Sequence, residues 1–149
     1  MKEKLIDVST WNGNIDWYKV YKLGVRYAMI RSSFGAENPN QVDNKFARNI
    51  TNAQKVGVKC GVYHYSYAQS VAEAQREADF CLKTIKGYKL DLPVAFDIED
   101  SSQTHLGKDT LTSIVIAFCD KIKSAGYRPM LYCNPNWLCN YLHKDKLIN

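Results

Sequence analysis

The sequence predicts an α/β fold in which parallel strands alternate with crossover helices. Short stretches rich in β-branched and aromatic residues recur along the chain, and each is followed by apolar residues at helical spacing. Glycines at positions 24, 57, 87 and 126 follow the first four helical stretches, where a helix commonly ends. No two strand-like stretches are joined by a hairpin turn, so crossover helices must connect them.

Five strands and five helical segments are expected in strict alternation. The strands are predicted over residues 4–8, 25–31, 58–67, 94–98 and 128–133. The helices are predicted over residues 15–23, 43–56, 70–85 and 110–125, with a short helical turn over 135–142. Asp16 and Asp43 are expected to begin the first two helices. Residues 32–40 and 101–108 are predicted to be loops, and residues 144–149 to begin a further strand.

Length and composition limit the class of protein. A chain of 149 residues and 17.0 kDa suits one domain over residues 1–149, and 46% hydrophobic with 23% charged residues is ordinary for a globular protein. No apolar run reaches the ~18 residues of a membrane-spanning helix, and no apolar signal-peptide region precedes the first strand. We therefore expect a protein that is made in the cytoplasm without a signal peptide.

The net charge of +5, from 20 Lys and Arg against 15 Asp and Glu, mildly favours polyanionic partners such as nucleic acid or an anionic cell wall. The basic residues are scattered and form no nucleic-acid-binding motif, so solvated helix faces explain them better. The five cysteines lack zinc spacing, and neither common glycine-rich phosphate motif occurs. We expect free thiols, no metal, no cofactor, and neither a nucleic-acid nor a membrane partner.

The apolar stretch over residues 92–100 ends in three carboxylates and is the strongest functional indication. Strand alternation places Asp97 and Glu99 on one face, and Phe96 and Ile98 on the other. The two acidic positions are then roughly 6–7 Å apart along the strand. Such a pair in a low-dielectric cleft raises the pKa of one carboxyl, which suits general acid catalysis. A strand that runs out into an acidic surface loop is the alternative.

The ends of the other predicted strands carry further polar and aromatic residues. In parallel α/β folds, functional groups collect beyond the C-terminal ends of the strands. Aromatic faces beside carboxylates suit a sugar, because the rings stack on its apolar faces while polar groups bind its hydroxyls and amides. The candidate residues, in addition to Asp97 and Glu99, are Asp7, Trp11, Arg31, Tyr63, Tyr65, Tyr132 and Asn134.

Several of these residues have an equally simple structural explanation. Asp7 would cap the turn that follows it, and Arg31 would keep Asp7 or Asp97 ionised. His64 faces away from its tyrosine neighbours and is better explained as a hydrogen-bonded packing residue. Tyr67 is better explained as filling the interior of a barrel.

Three motifs, over residues 7–13, 61–65 and 97–99, resemble the glycoside hydrolase family 25 lysozymes, which are common among phage endolysins and bacterial autolysins. The resemblance spans essentially the whole chain. It implies a modified TIM-like barrel of eight strands and cleavage of the β-1,4 bond between N-acetylmuramic acid and N-acetylglucosamine in cell-wall peptidoglycan. By the same resemblance, Glu99 is the general acid, Asp97 steadies the substrate N-acetyl group or the developing positive charge, and Asp7 is a third acidic residue of the cleft.

The chain departs from the family after Tyr132, where nothing clearly supplies the last strands, a Trp-rich segment or a further aspartate of the cleft. The barrel is therefore expected to be incomplete: either the chain is truncated or a second chain completes the fold. We expect a peptidoglycan hydrolase that acts on the cell wall after release. A non-catalytic peptidoglycan-binding or assembly fragment is the alternative. An unrelated α/β hydrolase is disfavoured because no G-x-S-x-G motif occurs.

Overall fold

The computed structural model describes residues 3–36 and 38–147, and its strands form a single parallel sheet. Neighbours along the chain are also neighbours in the sheet. The strands are β1 (Lys4–Val8), β2 (Val25–Phe34), β3 (Lys59–Tyr65), β4 (Val94–Asp97) and β5 (Pro129–Tyr132). The helices are α1 (Trp17–Lys22), α2 (Phe46–Lys55), α3 (Val71–Ile85), α4 (Lys108–Ser124) and α5 (Pro135–Asn140). Short 3-10 turns span Thr10–Asn12, Pro39–Gln41, Ser101–Leu106 and Lys144–Lys146.

The crossover helices pack on one face of this sheet. The strand order never reverses, and right-handed crossovers that always step in the same direction place their helices on the same side. Helices α2, α3 and α4 accordingly contact strands β2 to β5. This is the wall of a (β/α) barrel, so the predicted α/β class is confirmed. Five of the eight strands implied by the resemblance lie in the described residues, where β1 and β5 form the two edges of the sheet.

The two faces of the sheet have different side chains. On the helix-covered face, Ile30, Val62 and Phe96 are fully buried, and Phe96 stacks on Phe118 of α4 with ring centroids 4.2 Å apart. The other face, which we call the open face, carries Met29, Tyr63, Asp97 and Tyr132 among other residues. The predicted alternation of the third strand is confirmed, since positions 62, 64 and 66 are buried whereas the tyrosines between them are partly exposed.

Side-chain caps explain where three of the helices begin, α1, α3 and, as described below, α5. Asp16 Oδ1 accepts the N–H of Lys19 at 3.1 Å, as predicted for the start of α1, and Ser70 accepts the N–H of Glu73 to begin α3. The expectation that Asp43 caps the second helix is wrong. Lys45 is the cap residue of α2 and makes no side-chain cap bond, because a lysine side chain has no hydrogen-bond acceptor. Asp43 lies two residues earlier, where its Oδ1 accepts the Lys45 N–H at 2.9 Å.

Three predicted non-helical segments differ from expectation. Strand β2 continues through residues 32–34, which are expected to be loop, because Ser33 and Phe34 pair with His64 and Tyr65 of β3. The Ser33 hydroxyl also bonds the His64 ring. Residues 101–106 form a 3-10 turn capped by Asp100. Residues 144–146 form a 3-10 turn instead of a strand, since Lys146 and Leu147 bond to carbonyls three residues earlier. The end of that predicted strand, residues 148–149, lies outside the described residues.

Within residues 3–36 and 38–147, no helix has both the length and the apolar character that a membrane crossing requires.

Candidate active site

A cavity of about 180 Å³ lies on the open face, towards the C-terminal ends of the strands. Every strand contributes to it, either directly or through residues just beyond its end. This brings the carboxyl group of Asp7, from the first strand, together with those of Asp97 and Glu99 around one space. The lining residues are Asp7, Met29, Tyr63, Ala95, Asp97, Glu99, Met130 and Tyr132.

Asp97 and Glu99 face the same cavity, as the alternation predicted. Asp97 is the last residue of β4 and is only 6% exposed, and Glu99 lies two residues beyond it and is half-buried. The Ile98 N–H donates to the Tyr132 carbonyl at 3.1 Å, so the extended pairing with β5 continues past the end of β4. The acidic loop alternative is therefore wrong for Asp97, which is buried against the sheet.

Asp97 has a strongly shifted pKa. Burial is the main cause, the carboxylates of Glu99 and Asp7 add to it and Arg31 opposes it, and together they raise the pKa of Asp97 to about 7. No described residue donates a hydrogen bond to Asp97 Oδ1. The cavity thus contains a carboxyl that binds and releases a proton near neutral pH.

Asn134 holds Glu99 in place. The Asn134 backbone N–H and side-chain amide donate to Glu99 Oε2 at 3.0 and 3.1 Å. The Asn134 side-chain oxygen accepts the N–H of Trp137 at 3.0 Å and so caps α5. The sequence suggested that Asn134 binds substrate, whereas the structure directs its amide at Glu99.

A second depression continues from the first, since both are lined by Tyr63 and Asp97. Its volume is about 360 Å³, and the two depressions together are called the groove below. Trp11 projects at its rim and is 85% exposed. Tyr67, expected to fill the barrel interior, instead lines this depression and packs edge-to-face on Tyr65. The complete lining is Ser9, Trp11, Arg31, Tyr63, Tyr65, Tyr67 and Asp97.

Arg31 lies in the groove wall, but its direct partner is not one of the cavity carboxylates. Arg31 Nε donates to Asp43 Oδ2 at 2.8 Å, in a pair that is almost entirely buried. Arg31 nevertheless lowers the pKa of Asp97 from a distance. Arg31 is expected to keep Asp7 or Asp97 ionised, but at Asp97 it only opposes the rise in pKa and does not prevent it.

Two tyrosines of the groove keep their protons. Burial raises the pKa of Tyr63 to about 12, so its hydroxyl remains protonated at neutral pH. The Tyr65 hydroxyl donates to Asp100 Oδ2 at 3.1 Å, and burial raises the pKa of Tyr65 as well. Burial would raise the pKa of Asp100, but hydrogen bonds from Ser102 and Tyr65 lower it. Asp100, the third acid of the run, thus orients a groove tyrosine.

The structure shows whether Asp7 caps the turn after β1 and whether His64 is a packing residue. Asp7 is exposed at the cavity, and the turn after β1 is capped by Ser9, not by Asp7. His64 is buried on the helix-covered face, where its Nδ1 lies 2.8 Å from the Ser33 hydroxyl and its Nε2 3.5 Å from Glu77 Oε2. His64 is therefore a packing residue, as predicted.

Besides Ser9 and Tyr67 of the second depression, sequence reasoning missed four residues of the site. Met29, Ala95 and Met130 line the cavity, and each lies two positions before a predicted site residue, so strand alternation would have found them. Asp43 has no comparable local pattern, because the two groove segments it holds contain Arg31 and Thr10, which are 12 and 33 residues away along the chain.

All five cysteines are free thiols. Over the part of the chain that the structure describes, the His, Cys, Asp and Glu side chains form no group of three that could hold a metal ion.

Comparison with known proteins gives a consistent family match. The family described as glycosyl hydrolases family 25 matches residues 6–149. Lysozyme M1 of Streptomyces globisporus is 34% identical over 97 residues, which cover 63% of this chain and 32% of that protein. The N,O-diacetylmuramidase of Arthroderma benhamiae is 27% identical over 139 residues, covering 88% of this chain and 57% of its own length.

Solved structures support the same fold. The crystal structure of the CTP1L endolysin superposes with a TM-score of 0.85 and 28% identity, over 98% of this chain and 50% of that one. The chain therefore spans between about a third and somewhat over half of the length of these relatives.

Proposed function

Because the chain belongs to family 25 of the glycosyl hydrolases, we propose that it is an N-acetylmuramidase that cleaves the β-1,4 bond between N-acetylmuramic acid and N-acetylglucosamine in bacterial peptidoglycan. The observation that carries this proposal is the cavity shared by Asp97 and Glu99 and continued by an aromatic groove. Glycoside hydrolysis typically uses two carboxyl groups beside the scissile bond, and aromatic rings bind the apolar faces of sugars.

Glu99 is proposed as the general acid. The two N–H donors of Asn134 hold Oε2, which leaves Oε1 to carry the proton. That proton passes to the glycosidic oxygen as the bond to the anomeric carbon breaks, and the bonding electrons leave with the oxygen. In the second half of the reaction, Glu99 takes a proton from the attacking water.

Asp97 is proposed to assist the substrate N-acetyl group. The acetamido carbonyl oxygen attacks the anomeric carbon, and positive charge develops on the acetamido group beside Asp97. The strand spacing of roughly 6–7 Å is wider than the ~5–5.5 Å at which a second carboxylate acts as the nucleophile. The raised pKa of Asp97 shows that its ionised form is unfavourable in the empty groove. A positive charge that forms beside it in the transition state therefore stabilises the ionised form more than it is stabilised before the reaction.

The remaining residues are proposed to bind the glycan. Trp11, Tyr63, Tyr65 and Tyr132 offer ring faces for sugar stacking, and Arg31 offers a cation in the wall. Asp7 adds a third carboxylate that favours positive charge in the cavity.

We also propose that the protein reaches the cell wall after release from the cytoplasm.

The sheet edges formed by β1 and β5 can each pair with another strand, and we propose that strands supplied by a second chain would close the barrel.

Digestion of purified peptidoglycan tests the function. Mass spectrometry should find released fragments with muramic acid at the reducing end. The variant Glu99→Gln should lower the rate by about 10²–10⁴-fold, the usual contribution of a general acid. Glu3→Gln, which changes an exposed glutamate ahead of β1, is the matched control and should leave the rate unchanged. Binding of peptidoglycan without any bond cleavage would instead support the non-catalytic fragment.

A further inference from the structure

We propose that Asp43 is a positioning residue of the groove, which holds both the Arg31 guanidinium and the turn that carries Trp11 in the wall beside Asp97. The kinetic part of the test rests on the proposed function, whereas the spectroscopic part does not.

Asp43 connects three separate segments of the chain. Its side chain is buried, with 2% of the residue exposed, and accepts three hydrogen bonds. Oδ2 accepts from Arg31 Nε at 2.8 Å and from the Thr10 N–H at 2.9 Å, and Oδ1 accepts from the Lys45 N–H at 2.9 Å. The Asp43 N–H in turn donates to the Ser32 carbonyl at 2.9 Å. One carboxylate therefore ties the turn after β1 to β2 and to the segment before α2.

The bond to Thr10 fixes the place of Trp11. Thr10 is the first residue of the 3-10 turn Thr10–Asn12, and Trp11 is the next. With most of its surface exposed, the Trp11 ring has little packing of its own, so its position follows that of the turn backbone. The Thr10 hydroxyl makes a separate, solvent-exposed bond to Asn44, and the buried link to Asp43 depends on the Thr10 N–H alone.

The bond to Arg31 fixes a charge. The Arg31 side chain is 12% exposed, lines the groove with Trp11 and Asp97, and lies 5.0 Å from the centre of the Phe34 ring. Asp43 compensates its positive charge, so Asp97 experiences less of it. The other groups that act on Asp97 or are influenced by it are the carboxylates of Asp7 and Glu99, the hydroxyls of Tyr63, Tyr65 and Tyr132, and the Cys133 thiol.

The electrostatic consequence has opposite signs for the two partners, which a purely structural role would not produce. Asp43→Asn leaves the Arg31 charge uncompensated and should lower the pKa of Asp97, whereas Arg31→Met should raise it, each by about half a unit or more. Carbon-13 NMR titration of the Asp97 carboxyl measures both shifts and needs no activity. Asp16→Asn, the same chemical change at the exposed start of α1, is the control and should leave the Asp97 titration unchanged.

Thr10→Pro tests the positioning of Trp11 without touching a charge. Proline removes the N–H that bonds Asp43 and suits the first position of a helical turn, and Ser9 before it is already extended. We expect KM for peptidoglycan to rise about tenfold while kcat changes by less than about threefold. Thr10→Val keeps the N–H and removes only the hydroxyl, so its KM should stay within about twofold of the wild type.

These outcomes separate the two proposals. If Asp43→Asn does not fold, Arg31→Met and Thr10→Pro still decide the inference. An Asp97 pKa that does not rise in Arg31→Met, or a KM for Thr10→Pro equal to that of Thr10→Val, overturns the positioning role. If the wild type cleaves no peptidoglycan, the proposed function fails, and the NMR titration alone decides the role of Asp43.

Discussion

Asp7, Asp97 and Glu99 place three carboxyl groups around one cavity, with Arg31 as the positive charge that acts on Asp97. Because the Glu99 carboxylate raises the pKa of Asp97, the two carboxyls interact, and the proton that Asp97 holds up to about pH 7 is a property of the pair. The proposed reaction requires this proton to be on Glu99 while Asp97 is ionised. The upper pH limit of activity is therefore the pH at which the pair loses this proton.

We predict that kcat/KM for peptidoglycan cleavage falls as the pH rises above about 7, the pKa of Asp97. Above that pH the pair holds no proton to donate, and the rate should drop about tenfold for each further pH unit. A rate that stays constant up to pH 9 would contradict a shared proton.

The same carboxyl should make the fold less stable as the pH rises. The folded-state pKa of about 7 lies above the ordinary value of 3.8, so between these values the folded protein holds a proton that the unfolded chain releases. Stability is therefore lost as the pH rises through this window. Asp97→Asn should be more stable than the wild type by about 4 kcal/mol at pH 8 and nearly equal to it at pH 4.

Urea unfolding at the two pH values measures this difference. Asp120→Asn, an exposed aspartate on α4, serves as control and should show no such pH dependence. Equal free energies of unfolding for Asp97→Asn and wild type at pH 8 would mean that burying the ionised Asp97 carboxylate does not destabilise the fold.

At the scale of elements, β3 is held unusually close to its neighbours at Gly61. A Cβ atom built at Gly61 would lie 2.7 Å from Leu92 Cβ, from Met29 Sδ and from the Pro93 carbonyl oxygen. The Pro93 carbonyl accepts the N–H of Val62, so it cannot retreat without weakening the contact between β3 and β4. This close approach is the physical reason for a glycine in the motif over residues 61–65.

We predict that Gly61→Ala destabilises the protein by about 1–3 kcal/mol, the usual cost of overpacking. The midpoint of urea unfolding measures the loss. Combining it with Met29→Ala removes one of the three contacts, so the double variant should lose less stability than the sum of the two single variants. Full additivity would show that the Met29 contact does not contribute.

The elements themselves were largely predictable because the patterns that define them are local. Alternation along residues 94–99 placed Asp97 and Glu99 on one face, and Asp16 identified the start of α1. The interactions that hold the site together were not predictable in this way. The bonds from Asn134 to Glu99 span 35 residues, and that from Arg31 to Asp43 spans 12, so only the folded sheet brings them together.

At the scale of the whole molecule, the charge of the groove differs from that of the rest of the protein. The chain carries a net charge of +5, yet three carboxylates line the cavity. The remaining surface is therefore more positive than the total suggests. Under the proposed function, such a surface would attract the anionic cell wall, while the groove itself would favour neutral sugars and developing positive charge.

We predict that KM for intact cell walls rises severalfold between about 0.05 and 0.5 M salt, because salt screens this attraction while kcat depends on the groove. Initial rates of turbidity loss at a series of wall concentrations measure both constants. Walls stripped of their anionic polymers should show a much weaker dependence. A KM that is independent of salt on intact walls would exclude a role for the net charge.

The exposure of Trp11 gives the molecule its own optical reporter. The other two tryptophans, Trp17 and Trp137, are 3% and 4% exposed, whereas Trp11 is open to solvent at the groove rim. A water-soluble quencher such as iodide therefore reaches Trp11 far more readily than the other two. A glycan chain seated against its ring would shield that emission, which makes occupancy of the groove visible by fluorescence in the unlabelled protein.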